Sequence, residues 1–229
     1  MFSADIFLNG KKIVFDNILV AGGRPPSKKW FSKVAKNKVI YCADSGIDIC
    51  YKSKVLPKVV VGDMDSCSKD ALEWAVENKV PVKRASVYKD DTDFKLVLVD
   101  VIMETTGNIL CTGVWGGRFD HLYSIVNYIM TAQKNINYSI VMADHKECMF
   151  FVTEGACKAK IVNTEKIDNI SLLPINEEAI VSISGVRWSL KDKFISTEDV
   201  FSISNIPKPM QDVNISVKKG CVGVYIKIK

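Results

Sequence analysis

The chain has 229 residues, 48% apolar and 25% charged, which is an ordinary globular composition with room for one large domain or two small ones. Lys and Arg exceed Asp and Glu by only five (31 − 26), which suits an anionic small molecule and argues against a nucleic-acid footprint. The seven cysteines are scattered and contain no C-x-x-C pair, so neither a disulfide framework nor a zinc site is expected. Reduced thiols, an N-terminus broken by charge every few residues and no apolar run of membrane-spanning length together predict a soluble cytoplasmic protein.

Ile18-Leu19-Val20 reads as a strand, followed by Ala21-Gly22-Gly23 and a helical segment from Ser27. Val39-Ile40-Tyr41 is the next strand and runs into Ala43-Asp44-Ser45-Gly46. Val59-Val60-Val61 follows and ends at Gly62-Asp63-Met64-Asp65-Ser66. Ser68 is placed to cap a helix over Asp70 to Asn78. A weaker strand over Val82 to Val87 leads to Asp90-Asp91-Thr92-Asp93. Phe94, Val97, Leu98, Val101 and Ile102 then recur at helical spacing, with Gly107 as the expected stop. Ile109-Leu110-Cys111 runs into Gly116-Gly117-Arg118-Phe119-Asp120-His121, and Leu122, Ile125, Val126, Ile129 and Met130 mark one more helix before a strand over Ser139 to Met142.

Strands alternating with helices predict an α/β domain over residues 1–145: a mostly parallel, Rossmann-like sheet with helices on both faces. From residue 146 to 229 the texture changes to short β-branched runs between turn residues. Ile180 to Ile183, Val213 to Val217 and Val222 to Ile228 alternate apolar and polar, Pro207 and Pro209 mark a loop, and Lys218-Lys219-Gly220 reads as a hairpin turn. This half is expected to be an all-β sandwich or barrel.

The aspartates carry the chemistry. Asp44, Asp63, Asp65, Asp90, Asp93 and Asp120 each follow a strand and precede or begin a helix, so they converge outside the carboxyl ends of the parallel strands. Helix capping accounts for one or two aspartates here, such as Asp93 or its neighbour Asp91. Six converging charges repel unless a cation sits among them, and a hard, oxygen-seeking ion shared with substrate phosphates, Mg2+, fits best. No P-loop and no G-x-G-x-x-G is present; Gly116-Gly117-Arg118 at a strand-to-helix junction can take phosphate oxygens instead. On these residues alone, pyrophosphoryl transfer, Mg2+-dependent phosphate hydrolysis and nucleotide binding without turnover all stand open.

Gly62-Asp63-Met64-Asp65-Ser66, Asp90-Asp91-Thr92-Asp93 and Gly116-Gly117-Arg118-Phe119-Asp120-His121 resemble, in order and spacing, the G-D-x-D-S, D-x-T-D and G-G-R-x-D-H motifs of thiamine pyrophosphokinases. Ala43-Asp44-Ser45-Gly46 is similar to that family's A-D-x-G, and Leu172-Leu173-Pro174, Gly185 to Leu190 and Ser202 to Asn205 resemble its C-terminal motifs. The extra carboxylate of Asp91 and the stretch Ile206-Pro207-Lys208-Pro209 depart from the pattern. The resemblance implies transfer of the β,γ-pyrophosphoryl group of ATP to the hydroxyl of thiamine, in a homodimer. It assigns catalysis and Mg2+ to Asp63, Asp65 and Asp90, and ATP binding to Asp44, Ser66, Thr92, Asp93, Gly116, Gly117, Arg118, Asp120 and His121. Trp188, Ser204 and Asn205 would bind thiamine.

Overall fold

The computed structural model describes residues 4–84, 91–154, 158–175, 178–199 and 201–229. They form two compact units, one of Phe15–Asp144 and the other of Phe2–Val14 joined to His145–Lys229. The chain opens in the second unit with two short strands, β1 (Asp5–Leu8) and β2 (Lys11–Lys12). The sequence places residues 1–145 together. Phe2–Val14 falls with the second unit instead, because β1 pairs antiparallel with a strand more than 150 residues away, Asp5 opposite Val162.

The first unit contains β3 (Asn17–Val20), α1 (Lys28–Val34), β4 (Val39–Ala43), α2 (Ile47–Ser53), β5 (Val59–Gly62), α3 (Lys69–Glu77), β6 (Val82–Arg84), α4 (Asp93–Glu104), β7 (Ile109–Thr112), α5 (Phe119–Gln133) and β8 (Ile140–Ala143). Every pairing among its strands is parallel, and the order is β8-β7-β3-β4-β5-β6. Four of these strands, β3, β5, β7 and β8, are buried along their whole length, which is why they read as continuous apolar runs rather than alternating ones. Strand order reverses direction between β3 and β7, the kind of switch point at which the carboxyl edge of a parallel sheet offers a ligand crevice.

The helices follow their caps. Ser27, Ser68 and Thr92 each accept a hydrogen bond from the backbone N–H three residues on, opening α1, α3 and α4. Phe94, Val97, Leu98 and Val101 form the buried stripe of α4. That helix stops at Thr105, whose extended φ of −132° and ψ of 152° end it before Gly107, so the glycine is not its cap. The expected strand over Val82 to Val87 is described as far as Arg84, and the remainder, with Asp90, lies outside the described residues.

The second unit adds β9 (Glu147–Thr153), β10 (Lys158–Val162), β11 (Ile167–Pro174), β12 (Glu178–Ser184), β13 (Leu190–Ser196), β14 (Val213–Lys219) and β15 (Cys221–Ile228). One antiparallel sheet runs β13-β12-β14-β10-β1-β2, and β15 pairs antiparallel with both β11 and β9. Lys218-Lys219-Gly220 is therefore not the turn of a hairpin. β14 pairs with β12 and β10, whereas β15 pairs with β11 and β9, so the chain changes sheet at Gly220. Both strands alternate apolar and polar, and that signal identifies strands without naming their partners.

The crossing needs a glycine. Gly220 has φ +82°, its N–H donates to Glu154 at 3.0 Å, and a Cβ there would lie 2.2 Å from the Glu178 carbonyl oxygen. Gly220→Ala is expected to cost on the order of 2 kcal/mol or more. Urea unfolding measures this directly; an unshifted midpoint would show that the crossing tolerates a side chain.

Candidate active site

The loops leaving β3, β4, β5 and β7, together with the first turns of α4 and α5, enclose a cleft of about 550 Å³. Of the residues expected to act, Asp44, Asp63, Asp65, Ser66, Thr92, Asp93, Gly116, Gly117, Arg118 and His121 line it. Asp120 does not line it, and Asp90 lies outside the described residues. Trp188, Ser204 and Asn205 belong to the second unit.

β4 and β5 are neighbours, so the residues just past their ends meet. Carboxylate oxygens of Asp44, Asp63 and Asp65 all lie within 4.8 Å of one another. The backbone is bent to bring them there: Asp44 (φ +48°) and Met64 (φ +67°) both occupy the left-handed region that non-glycine residues rarely enter. Gly62 lets the two loops close, since a Cβ at this position would come within 3.1 Å of Asp44 Cα and Cβ. The Ser66 hydroxyl donates to Asp44 Oδ2 and the Cys67 thiol to Oδ1 at 3.6 Å, so both Asp44 oxygens are held. The Asp65 N–H donates to Asp63 Oδ1 at 3.1 Å.

The electrostatics follow from the crowding. The charge of Asp63 beside it, then its hydrogen bonding to Asp63, slight desolvation and the charges of Asp44 and Asp93 push the Asp65 carboxyl above the ordinary range. Burial, then Asp44, lifts the Cys67 thiol to about 12, which keeps it protonated as a donor. An all-oxygen donor set of three mutually repelling carboxylates fits a hard divalent cation of the Mg2+ type.

A glycine-rich rim faces the carboxylates. Gly116 and Gly117 both have φ +68°, and no atom lies within 4 Å of a Cβ placed on Gly117. The loop after β3 is zipped to the loop after β7 by Ala21 N–H to Thr112 O at 2.8 Å, Gly23 N–H to Gly113 O at 2.7 Å and Arg24 N–H to Trp115 O at 2.6 Å. Arg24 anchors this rim through Nε (3.1 Å) and a terminal nitrogen (2.6 Å), both on Oδ2 of Asp144, whose side chain is fully buried at the end of β8. Arg118 and Asp120 pair with each other at 3.1 and 2.5 Å. Hydrogen bonding to Arg118 holds the Asp120 carboxyl below the usual range, and the guanidinium is raised in turn. The pair occupies Nε and one terminal nitrogen of Arg118 and leaves its other N–H donors for a further anion.

Sequence reasoning did not assign Gly22, Gly23, Ser45, Phe94, Gly113 or Ser124, which also line the cleft. The Gly22-Gly23 pair directly after a strand was a usable signal; the Arg24–Asp144 pair, 120 residues apart, offered none.

Removing one of the three charges should relieve repulsion in the metal-free protein. The raised carboxyl of Asp65 means that the folded state takes up a proton more readily, so the repulsive penalty is present near neutral pH and fades as pH falls into the acidic range. Asp65→Asn is expected to raise the metal-free Tm near neutral pH, and Mg2+ is expected to raise the Tm of the unsubstituted protein but not that of the variant. Equal Mg2+ shifts in both proteins would remove Asp65 from the metal site.

Residues 31–142 match the thiamin pyrophosphokinase catalytic domain and residues 158–222 the thiamin pyrophosphokinase vitamin B1 binding domain, together more than three quarters of the chain. Thiamine pyrophosphokinase 1 of Arabidopsis thaliana is 25% identical over 195 residues, covering 75% of this chain and 72% of its own. Among solved structures, thiamine pyrophosphokinase from Bacillus subtilis superposes with a TM-score of 0.79 at 21% identity, over 93% of this chain and 99% of its own. The yeast thiamin pyrophosphokinase gives 0.75 at 19% identity, over 94% and 87% of the two chains, so the fold is shared with both. With both domains matched in order along its length, the chain belongs to the thiamine pyrophosphokinase family.

Proposed function

We propose that the protein is a thiamine pyrophosphokinase, transferring the pyrophosphoryl group of ATP to the hydroxyl of thiamine to give thiamine diphosphate and AMP. The observation that carries this reading is the juxtaposition, in one cleft, of the Asp44–Asp63–Asp65 cluster with the Gly116–Gly117 rim, in a chain that also contains a vitamin B1 binding domain.

In the transfer, the thiamine hydroxyl oxygen forms a bond to Pβ of ATP, the bond from Pβ to the α,β-bridging oxygen breaks, AMP leaves and the hydroxyl proton is lost. Such a reaction needs positioning and charge neutralisation more than a covalent nucleophile. Asp63 and Asp65, beside Asp44, would hold Mg2+ together with Asp90 as the resemblance implies, and the ion would supply neutralisation of phosphate charge. Gly116 and Gly117, free of side chains, let phosphate oxygens approach the backbone, and Arg118 contributes a cation at the start of α5. Ser66, Thr92, Asp93 and His121 complete the nucleotide contacts, Asp120 acts through its ion pair with Arg118, and one cleft aspartate orients the attacking hydroxyl as a weak base. Trp188 and Ser204 face thiamine, with Asn205 in the same segment.

On this proposal the first unit is a Rossmann-like nucleotide domain with helices on both faces, and the second, which takes Phe2–Val14 as well as His145–Lys229, is a β-sandwich. It also takes the protein as a cytoplasmic homodimer without nucleic-acid or membrane partners. Trp188, Phe194, Ile203 and Ile206 on the second unit are exposed apolar side chains that self-association would bury. Among the described residues no helix is long and apolar enough to cross a membrane.

The test is AMP formation from ATP and Mg2+ with and without thiamine, with the acceptor product followed by mass. Thiamine-dependent AMP together with thiamine diphosphate is expected; phosphate or AMP released equally without thiamine would identify a hydrolase. Asp65→Asn should fold and lose at least roughly a hundredfold in kcat, the scale of losing one electrostatic stabiliser of the transition state. Turnover like that of the unsubstituted protein would overturn its assignment.

A further inference from the structure

Trp188 sits on the bend between β12 and β13 with 54% of its surface exposed. An indole on an exposed bend moves with its backbone as well as about its own torsions, and here both polar groups of the Trp188 backbone are held by one side chain. The Asn205 amide donates from Nδ2 to the Trp188 carbonyl at 2.7 Å and accepts at Oδ1 from the Trp188 N–H at 3.1 Å. Oδ1 also accepts from the Ile206 N–H at 3.0 Å.

The backbone of Asn205 is committed elsewhere, exchanging two 2.8 Å hydrogen bonds with Ile170 of β11. One residue thus ties two segments: its main chain completes a bridge to β11, and its side chain stands in for the strand that Trp188 lacks. The neighbouring register supports the arrangement. Arg187 N–H donates to Ile206 O at 2.8 Å and Lys208 N–H to Gly185 O at 2.9 Å, on either side of the Val186–Pro207 bridge. Pro207 therefore occupies the position of an antiparallel pair that needs no N–H.

Asparagine suits this place for a chemical reason. The clamp needs a donor and an acceptor on one short planar group; aspartate has no donor, serine cannot reach both atoms, and glutamine adds a methylene. Asn205 is 5% exposed, and Oδ1 already accepts two hydrogen bonds, so its carbonyl oxygen is not available to a ligand. The Arg187 guanidinium lies over the Trp188 ring, 5.0 Å from its centroid, and 54% of the residue stays exposed.

We propose that Asn205 is a positioning residue for the acceptor substrate: it does not touch thiamine but holds Trp188 as a preformed aromatic platform on which a flat heteroaromatic ring stacks. This rests on the reading that Trp188 binds thiamine. Preorganisation of an exposed aromatic group improves affinity by removing the ordering cost at binding, so loss of the clamp should raise KM for thiamine more than it changes kcat.

The test uses the full chain and compares Asn205→Ala, Asn205→Asp, Trp188→Ala and the double variant Asn205→Ala/Trp188→Ala, each checked for a cooperative melt. Asn205→Ala is expected to raise KM for thiamine about tenfold, the effect of losing one or two hydrogen bonds, with KM for ATP within about twofold. Asn205→Asp, which keeps the acceptor, should fall between Asn205→Ala and the unsubstituted protein. In the double variant the Asn205 substitution should add nothing beyond Trp188→Ala, because it acts through that ring. An equal further rise in the Trp188→Ala background, or a parallel rise in KM for ATP, would overturn the proposal. Iodide quenching of Trp188 emission, taken as the difference from the matching Trp188→Phe protein, reports the clamp without thiamine. Asn205→Ala should change it, and unchanged quenching overturns the positioning role. Should Trp188→Ala leave KM for thiamine unaltered, the stacking reading falls, and quenching alone decides whether Asn205 holds the ring.

Discussion

Three carboxylates in mutual reach repel one another, and most of the cleft can be understood as the means of holding them together. Asp44 leaves β4 and Asp63 and Asp65 leave β5, adjacent parallel strands whose pairing brings the loops side by side. The two left-handed residues, Asp44 and Met64, turn the backbone sharply enough for the side chains to converge. Strain of this kind costs of order 1–3 kcal/mol per residue and persists only where its surroundings over-determine it. Here the surroundings are β5, buried along its whole length, and β4, buried from Ile40 to Ala43, together with Ser66 and Cys67, which donate to the two oxygens of Asp44.

Opposite the carboxylates, the same sheet edge supplies a surface without side chains. Two loops leave the switch point between β3 and β7, and instead of splaying apart they continue the parallel ladder past the strand ends as far as Arg24 and Trp115. The Arg24–Asp144 pair fixes that extension to β8. A buried ion pair is weak evidence for net stability because desolvation offsets attraction, but it is strict about geometry. The cleft therefore sets a charged wall against a backbone wall, each held from behind by the sheet, which is an arrangement suited to a polyphosphate bridged by a cation.

Much of the first unit was legible in sequence because its signals are local. Continuous apolar runs mark buried parallel strands, helical spacing from Phe94 to Val101 marks α4, and Ser68 marks the start of α3. The clustering of Asp44, Asp63 and Asp65 could be read from their positions after strands, since parallel topology places all such loops at one edge. What could not be read depends on partners. The alternation of β14 and β15 suits either a hairpin or a change of sheet, and only pairing decides. Asn205 was legible as part of a motif, yet its role turns on a side chain spent on the Trp188 backbone, which spacing does not encode. Arg118 and Asp120 were both read as nucleotide contacts, although their closeness also lets them neutralise each other.

The pairing of β1 with β10 has a consequence for how the molecule is made. Asp5–Leu8 is synthesised before the α/β unit but finds its place only beside Ala159–Val162, after that whole unit has been made. The N-terminal strand must wait unpaired while the inserted unit folds, which lengthens the loop closed by that contact and slows completion of the second unit. The discontinuity also means that the second unit cannot be isolated by cutting at residue 145. Such a fragment would present β10 as an open sheet edge, bounded by β14 on one side and by nothing on the other, a template for unwanted strand pairing.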